Sequence, residues 1–362
     1  MNKTRVYRHL WIWSLCIGLL GLMSGAVQAQ THAQTLTEIE LAQIAEIRHV
    51  LTTYAAEVWP GWGTSLAPLL LRKGEFDYLI GHPDPPSNFV EVTDLMVDGA
   101  AVFRFKGHLC PAPVATAWQI SNVWVAATPV RDEFQQVLDD MFGVGVIVLD
   151  DAAYVREVVH EAFHVYQMNF YGGPEGLPRD VLMSGDMAWL DNLTERERSE
   201  LDTALRLEGL ALNAALSSSA TDDEVRAAAA EFLRLRDERR TQLSALAADF
   251  ERGTEWMEGA ARYADTQLML RVGSVNYEPS IEALDAGFSY LPTQDVWNDF
   301  RSQVSDPPSV PGGYRDPFYV LGAAQMFVLD RLMPGWQVRM WEERLAPEDL
   351  LAEAIEEQRN LQ

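Results

Sequence analysis

The sequence predicts an α+β protein, with a strand-rich N-terminal lobe followed by a mostly helical C-terminal lobe. Three observations carry this. Residues 66–150 fall into short apolar runs separated by Gly and Pro, as strands do. From residue 151 onward, apolar residues recur at helical spacing over long stretches. The chain of 362 residues is 48% hydrophobic and 22% charged, a folded balance that excludes disordered and fibrous classes.

Each segment has its own warrant. Lys3, Arg5 and Arg8 precede an apolar run over 10–27, and Val27-Gln28-Ala29 offers small residues at the −3 and −1 positions of a cleavage site. That order predicts a secretory signal peptide over 1–29. An uncleaved anchor is the alternative, because the run is near the lower limit for spanning. The expected location is outside the cytoplasm, periplasmic or extracellular, with no stable membrane insertion after cleavage. Signal removal would take Cys16 and leave Cys110 without an intrachain partner, and two cysteines exclude a disulfide framework.

Residues 36–57 place Ile39, Leu41, Ile44, Ile47, Leu51 and Tyr54 on one helical face, and Trp59-Pro60-Gly61 ends the run. Strand candidates are 68–72, 76–80, 101–105, 123–128 and 144–149. Helices are expected over 152–170, 194–217 and 221–252. Gly253 should break the last of these, and Thr254 should cap a fresh helix to about 271. Asp316-Pro317 opens a helix to 332, and a final one starts at Pro347. The stretch 273–315 reads as irregular. The expected domains are an α/β lobe over 30–150 and a helical lobe over 151–362, the latter with a charged helical pair inserted at about 194–252. With 28 basic and 53 acidic residues the formal charge is −25, which repels phosphate backbones and argues against a nucleic-acid partner.

The most informative run is His160-Glu161-Ala162-Phe163-His164. Positions i and i+4 share one helix face, so both imidazoles can reach one ion with bonds of about 2.0–2.1 Å. Glu161 sits about 100° round the helix from His160, where it flanks the metal and can hold a water. The plain alternative is a histidine pair on an amphipathic helix. Tyr154, Val155, Val158, Val159 and Phe163 make this helix largely apolar, however, and buried histidines need partners. A catalytic zinc usually keeps three protein ligands. No histidine follows His164, so the third should be a carboxylate on a later helix. Glu208-Gly209-Leu210-Ala211 and Glu258-Gly259-Ala260-Ala261 both offer one, with a glycine that allows close helix approach. Glu258 is favoured, being at the start of a fresh helix. For either, an ordinary surface glutamate is the plain reading.

His-Glu-x-x-His followed by Trp256-Met257-Glu258-Gly259-Ala260-Ala261-Arg262-Tyr263 resembles the gluzincin metallopeptidases, in particular the aminopeptidase-N-like and Peptidase-MA-like members. The resemblance covers roughly 150–330. It implies a zincin-like fold with the metal site between the two lobes, Zn2+ as cofactor and Glu258 as third ligand. It also implies that Asp265 orients a ligand histidine. Tyr319-Val320-Leu321-Gly322-Ala323 matches a family segment whose tyrosine stabilises the transition state, with Tyr314 as the next candidate. The stretch from His164 to Glu258 is longer than in the aminopeptidase branch. The Gly-x-Met-Glu-Asn segment that binds a substrate amino terminus is absent, so exopeptidase specificity is not supported.

These features predict an exported zinc metallopeptidase acting on a peptide or protein, with Glu161 as general base. Two other functions fit the same motif: a catalytically silent metal-binding interaction protein, and a zinc hydrolase of a non-peptide amide. An intact Glu161 argues against the first, since a pure binder needs no base.

Overall fold

The computed structural model describes residues 35–178, 180–181, 193–307 and 315–359. The expected signal segment and Tyr314 lie outside the described residues. In chain order the N-terminal elements are α1 (Glu38–Val58), β1 (Leu69–Lys73), β2 (Phe76–Ile80), β3 (Val90–Val97), β4 (Ala100–Lys106), β5 (Thr116–Ile120), β6 (Val123–Pro129), α2 (Arg131–Phe142) and α3 (Asp151–Tyr171). There follow α4 (Glu195–Ala215), α5 (Asp222–Arg240), α6 (Ala245–Thr254), a π-helical turn (Glu255–Gly259) and α7 (Ala260–Val272). The last are α8 (Ile281–Ala286), α9 (Thr293–Ser305), α10 (Asp316–Leu332), α11 (Trp336–Glu342) and α12 (Pro347–Arg359). The α+β class and the order of strands before helices are as the sequence predicts.

The chain forms two compact units. The first takes everything described up to Ala56, then Trp62–Phe170 and Asn276–Tyr290; the second takes Glu57–Gly61, Tyr171–Val275 and Leu291 onward. The sequence places the boundary at residue 150, whereas α3 belongs, all but its last residue, to the first unit.

In the first unit a six-stranded sheet has the order β3-β4-β2-β1-β6-β5, antiparallel except for the parallel pair β1–β6. Two hairpins turn on paired positive-φ residues, Asp98-Gly99 (46° and 73°) and Ser121-Asn122 (46° and 67°). Asn and Gly tolerate that left-handed region, which matches the twist of the flanking strands. Leu70, Leu79, Ile120, Val125 and Cys110 pack into one apolar cluster over the sheet. Cys110 is thus a small buried core residue, as its setting beside Pro111 suggests.

Four expected strands are present within a residue or two. The sequence pattern does not reveal β3 and β5, which lie at the two sheet edges. Residues in β3 are mostly exposed, so no apolar run marks it. Conversely, 144–149 is not a strand. Gly143 and Gly145 take φ of 101° and 72°, Val144 and Val148 are 88% and 68% exposed, and among the described residues no strand pairs with this run. The Gln135 side chain of α2 stands in for one, donating to Ile147 O at 2.8 Å and accepting from Leu149 N at 2.7 Å. An apolar run alone does not make a strand; it needs a partner for its backbone groups.

Segment 276–290 returns to the first unit through Glu46 of α1. This buried carboxylate accepts from Tyr277 Oη, from Tyr290 Oη at 2.8 Å and from Ser280 N at 2.9 Å. Within 273–315, then, the chain is ordered by tertiary bonds and carries α8 and α9, where the sequence suggests irregular structure.

In the second unit, Thr194 and Thr221 form capping boxes with Glu197 and Glu224 at the starts of α4 and α5. The expected helix over 221–252 is two, α5 and α6, with Ser244 Oγ accepting from Ala247 N at 3.2 Å to cap the second. The expected break at Gly253 does not occur. Thr254 keeps helical dihedrals (φ −66°, ψ −45°), and its Oγ1 donates back to Phe250 O at 2.8 Å. The helix runs on from Ala245 to Val272 through the π-helical turn, so Glu258 lies mid-helix and not in a fresh first turn. Gly253 serves close packing instead: a Cβ there would lie 2.0 Å from Asp180 O.

The charged helical pair is not a solvated satellite. Arg236, Arg239 and Arg240 of α5 meet Glu208 of α4, Glu251 of α6, Glu255 of the π-helical turn and Glu348 of α12. Arg236, Glu208, Glu251 and Glu255 are at most 1% exposed. Burial raises the Glu251 and Glu348 carboxyls, but the surrounding arginines outweigh it and hold both below the usual range. Glu255 is the exception, raised because burial exceeds the pull of Arg236. A carboxyl depressed in the fold lends stability that is complete above its unfolded pKa of about 4.3 and is lost as pH falls through the folded value. Within this cluster Glu255 alone works in the opposite sense. Thermal melts followed by circular dichroism should therefore drop steeply below about pH 4. A melting temperature unchanged down to about pH 3 would rule out this contribution.

Candidate metal centre

Helix α3 has no Gly or Pro within it, and Gly172 and Gly173, at φ of 71° and 106°, end it. Asp150 Oδ1 accepts from Ala153 N at 2.8 Å and caps its start. Within the first unit, Tyr154 Oη donates to Pro129 O at 3.0 Å at the end of β6, and Phe163 meets the Trp62 ring edge-on at 4.9 Å. The helix is thus held on two sides, and its buried face carries the motif.

His160, Glu161 and His164 are all buried, and one potential ligand atom from each lies within 4.8 Å of the others. The two Nε2 atoms are 3.1 Å apart. A tetrahedral ion with bonds of about 2.0–2.1 Å would hold two nitrogens about 3.3 Å apart, so the pair fits a shared metal. Without an ion, the same spacing suits a hydrogen bond between the imidazoles. His164 Nδ1 stands 2.7 Å from Gln167 Oε1. An amide oxygen only accepts, so Nδ1 carries the proton and Nε2 of His164 presents its lone pair toward His160. This is the outer-shell arrangement that orients ligand histidines.

The sequence motif does not single out Gln167. Its signal is present nonetheless: it lies three residues beyond His164, on the same helix face, and is fully buried. Gln167→Leu keeps the bulk and removes the acceptor. It should lower zinc affinity about 10–100-fold in competition with a chromophoric chelator. An unchanged affinity would make Gln167 a core residue only.

The remaining predicted residues lie in the second unit, where Glu258 and Tyr319 come together. Arg315 Nη2 donates to Glu258 Oε1 at 2.9 Å, and its guanidinium lies 5.9 Å from the Tyr319 ring centre. Tyr319 is fully buried. Burial pushes its hydroxyl well above the ordinary range; Arg315 opposes this, while Glu258 and Asp316 add to it. Burial also raises Asp316 to about 7, with Arg315 opposing and Glu258 adding. Arg315 is invisible to sequence reasoning, since an arginine before a helix start carries no pattern of its own.

Gly259 does permit a close approach, but to α10: a Cβ there would lie 2.8 Å from Gly322 Cα. The glycines of Glu-Gly-x-Ala and Tyr-x-x-Gly-Ala therefore pack on each other. Asp265 Oδ1 accepts from Arg262 Nη1 at 3.0 Å and from Thr266 Oγ1 at 3.2 Å, both on its own helix. Glu208, the alternative third ligand, has both oxygens bonded to Arg236 and Arg239 and is fully buried.

No family model matches this chain, and no curated protein or solved structure matches it either. Among the described residues, no helix is long and apolar enough to cross a membrane.

Proposed function

We propose that this protein is an exported zinc-dependent metallopeptidase of gluzincin type. The observation that carries the reading is the buried His160–Glu161–His164 group, with its two Nε2 atoms 3.1 Å apart and His164 oriented by Gln167. His160 and His164 would hold the ion, and the buried carboxylate of Glu258, pinned by Arg315, is the third ligand we assign. Zinc, when bound, supplies a water of pKa about 7 and polarises the scissile carbonyl. Glu161 takes the proton from the attacking water and passes it to the leaving nitrogen. Tyr319 donates to the oxyanion as it forms. Its hydroxyl, kept protonated by burial, suits a donor. Asp265 is assigned to the support of the site and not to chemistry.

The test combines metal analysis with a peptide-library digest of the full mature chain. Stoichiometric zinc, cleavage abolished by chelation and cleavage restored by zinc are expected. Bound zinc with no cleavage of any peptide, but hydrolysis of a non-peptide amide, would replace the substrate class. Export is checked by the mass of secreted material, which should lack residues 1–29.

A further inference from the structure

We propose that Arg236 and Glu255 are a positioning pair that sets the direction of the Glu258 carboxylate by holding the π-helical turn against α10. The inference rests on the reading of Glu258 as a metal ligand and deepens it.

A π-helical turn takes one more residue than an α-turn, so it rotates the residues beyond it by about 100° relative to an uninterrupted helix. Whether Glu258 sits in a π- or an α-turn therefore decides where its carboxylate points. Such turns are rare and have poorer geometry, so something outside the helix must favour this one. The sequence Glu-Trp-Met-Glu-Gly contains no residue that requires it.

Two holds act at its first residue. The Arg236 fork donates to both oxygens of Glu255, Nη1 at 2.6 Å and Nη2 at 2.5 Å, and Gln325 Nε2 donates to Glu255 Oε2 at 2.9 Å. The fork is itself anchored, with Nε on Glu208 at 3.1 Å and Nη1 on Glu348 at 2.8 Å. Its guanidinium also lies 4.3 Å over the Phe232 ring. Three helices thus fix the point to which Glu255 is tied. A third hold spans the turn. A Cβ on Gly322 would lie 2.9 Å from Glu255 Cα, and one on Gly259 would lie 2.8 Å from Gly322 Cα. One glycine of α10 therefore touches both ends of the turn.

Buried ion pairs seldom stabilise more than apolar packing of equal volume, so a fork that grips both oxygens of a fully buried Glu255 has a better account as a register-setting device. An apolar residue at 255 would fill the space but would not choose between π and α.

The test compares four variants of the full mature chain by zinc affinity, in chelator competition, and by the visible spectrum of the cobalt-substituted protein, which reports ligand set and geometry. Glu258→Gln sets the reference loss. Glu255→Gln should bind zinc about 10–100-fold more weakly and change the cobalt spectrum in the same direction. Arg236→Lys keeps the charge without the fork and should fall between wild type and Glu255→Gln. Glu251→Gln is the control, since Glu251 is as buried and lies in the same arginine network, but outside the turn. It should melt earlier yet keep wild-type affinity and spectrum. If Glu255→Gln fails to fold, Glu255→Asp, which keeps the charge but shortens the reach, is read by the same two measurements with the same expectation. Wild-type affinity and spectrum in the folded 255 variant, beside a loss in Glu258→Gln, would overturn the positioning role and leave the ligand assignment standing. Equal losses in Glu251→Gln and Glu255→Gln would overturn it as general loosening. No loss in Glu258→Gln would remove the ligand assignment and the inference with it.

Discussion

Glu161→Gln should retain zinc at wild-type affinity while hydrolysing peptides at least about 10²-fold more slowly, the usual scale for loss of a general base. Glutamine has nearly the same shape, so the buried space at Glu161 stays filled and α3 keeps its packing. What is lost is proton affinity. A neutral amide cannot take the proton from the attacking water or return it to the leaving nitrogen. Because both histidines remain, with His164 still oriented by Gln167, metal content should not fall. Metal analysis and the peptide digest on one preparation decide it. Full hydrolytic activity in this variant would remove the water-activation role and with it the peptidase mechanism.

The second large effect separates the two glutamates that share the Glu-Gly-x-Ala pattern. Glu258→Gln should lower zinc affinity strongly, because it removes a negative oxygen from the ligand set, and it should also melt earlier, because it breaks the buried pair with Arg315. Glu208→Gln should lower the melting temperature without the loss of zinc, since its amide oxygen can still accept from Arg236 Nε. Its carboxylate is fully buried and bonded to both Arg236 and Arg239. Removing one charge from a buried pair costs about 3–5 kcal/mol, so this variant should melt at markedly lower temperature while its folded fraction holds zinc normally. Asp265→Asn should have a smaller effect on zinc than Glu258→Gln, about 10–100-fold at most. Zinc lost only in Glu208→Gln would reverse the assignment.

Much of the local structure is legible in the sequence, because local patterns carry it. The helix over 316–332 follows from Asp-Pro and an apolar stripe, and α1 and α3 follow from periodicity. The hairpin strands β1 and β2 follow from short apolar runs around Lys73-Gly74-Glu75. The histidine pair is legible for the same reason, since residues four apart on one helix must meet.

The features that are not legible depend on partners distant in the chain. The polar edge strand β3 pairs with β4 alone, and only the sheet makes it a strand. The apolar run 144–149 is no strand, because a glutamine side chain takes its inward backbone groups. The arginines and glutamates of α4 and α5 read as a solvated face, since charged residues are rarely buried unless paired. The arginines reach partners outside the helical pair, Glu255 at 19 residues and Glu348 at 112 residues from Arg236.

The sequence by itself determined the class of fold, the helix that carries His160, Glu161 and His164, and the chemistry those residue types can perform. Only the tertiary structure decided what each candidate residue touches: Gln167 on His164 in the first unit, and in the second Arg315 on Glu258, with the buried arginine fork and paired glycines at a π-helical turn. The physical reason is the range of the forces. Helix periodicity acts over a few residues and is written into their order. Burial turns a charge from a solvated group into one that must find its counter-charge, and burial is a property of the folded chain.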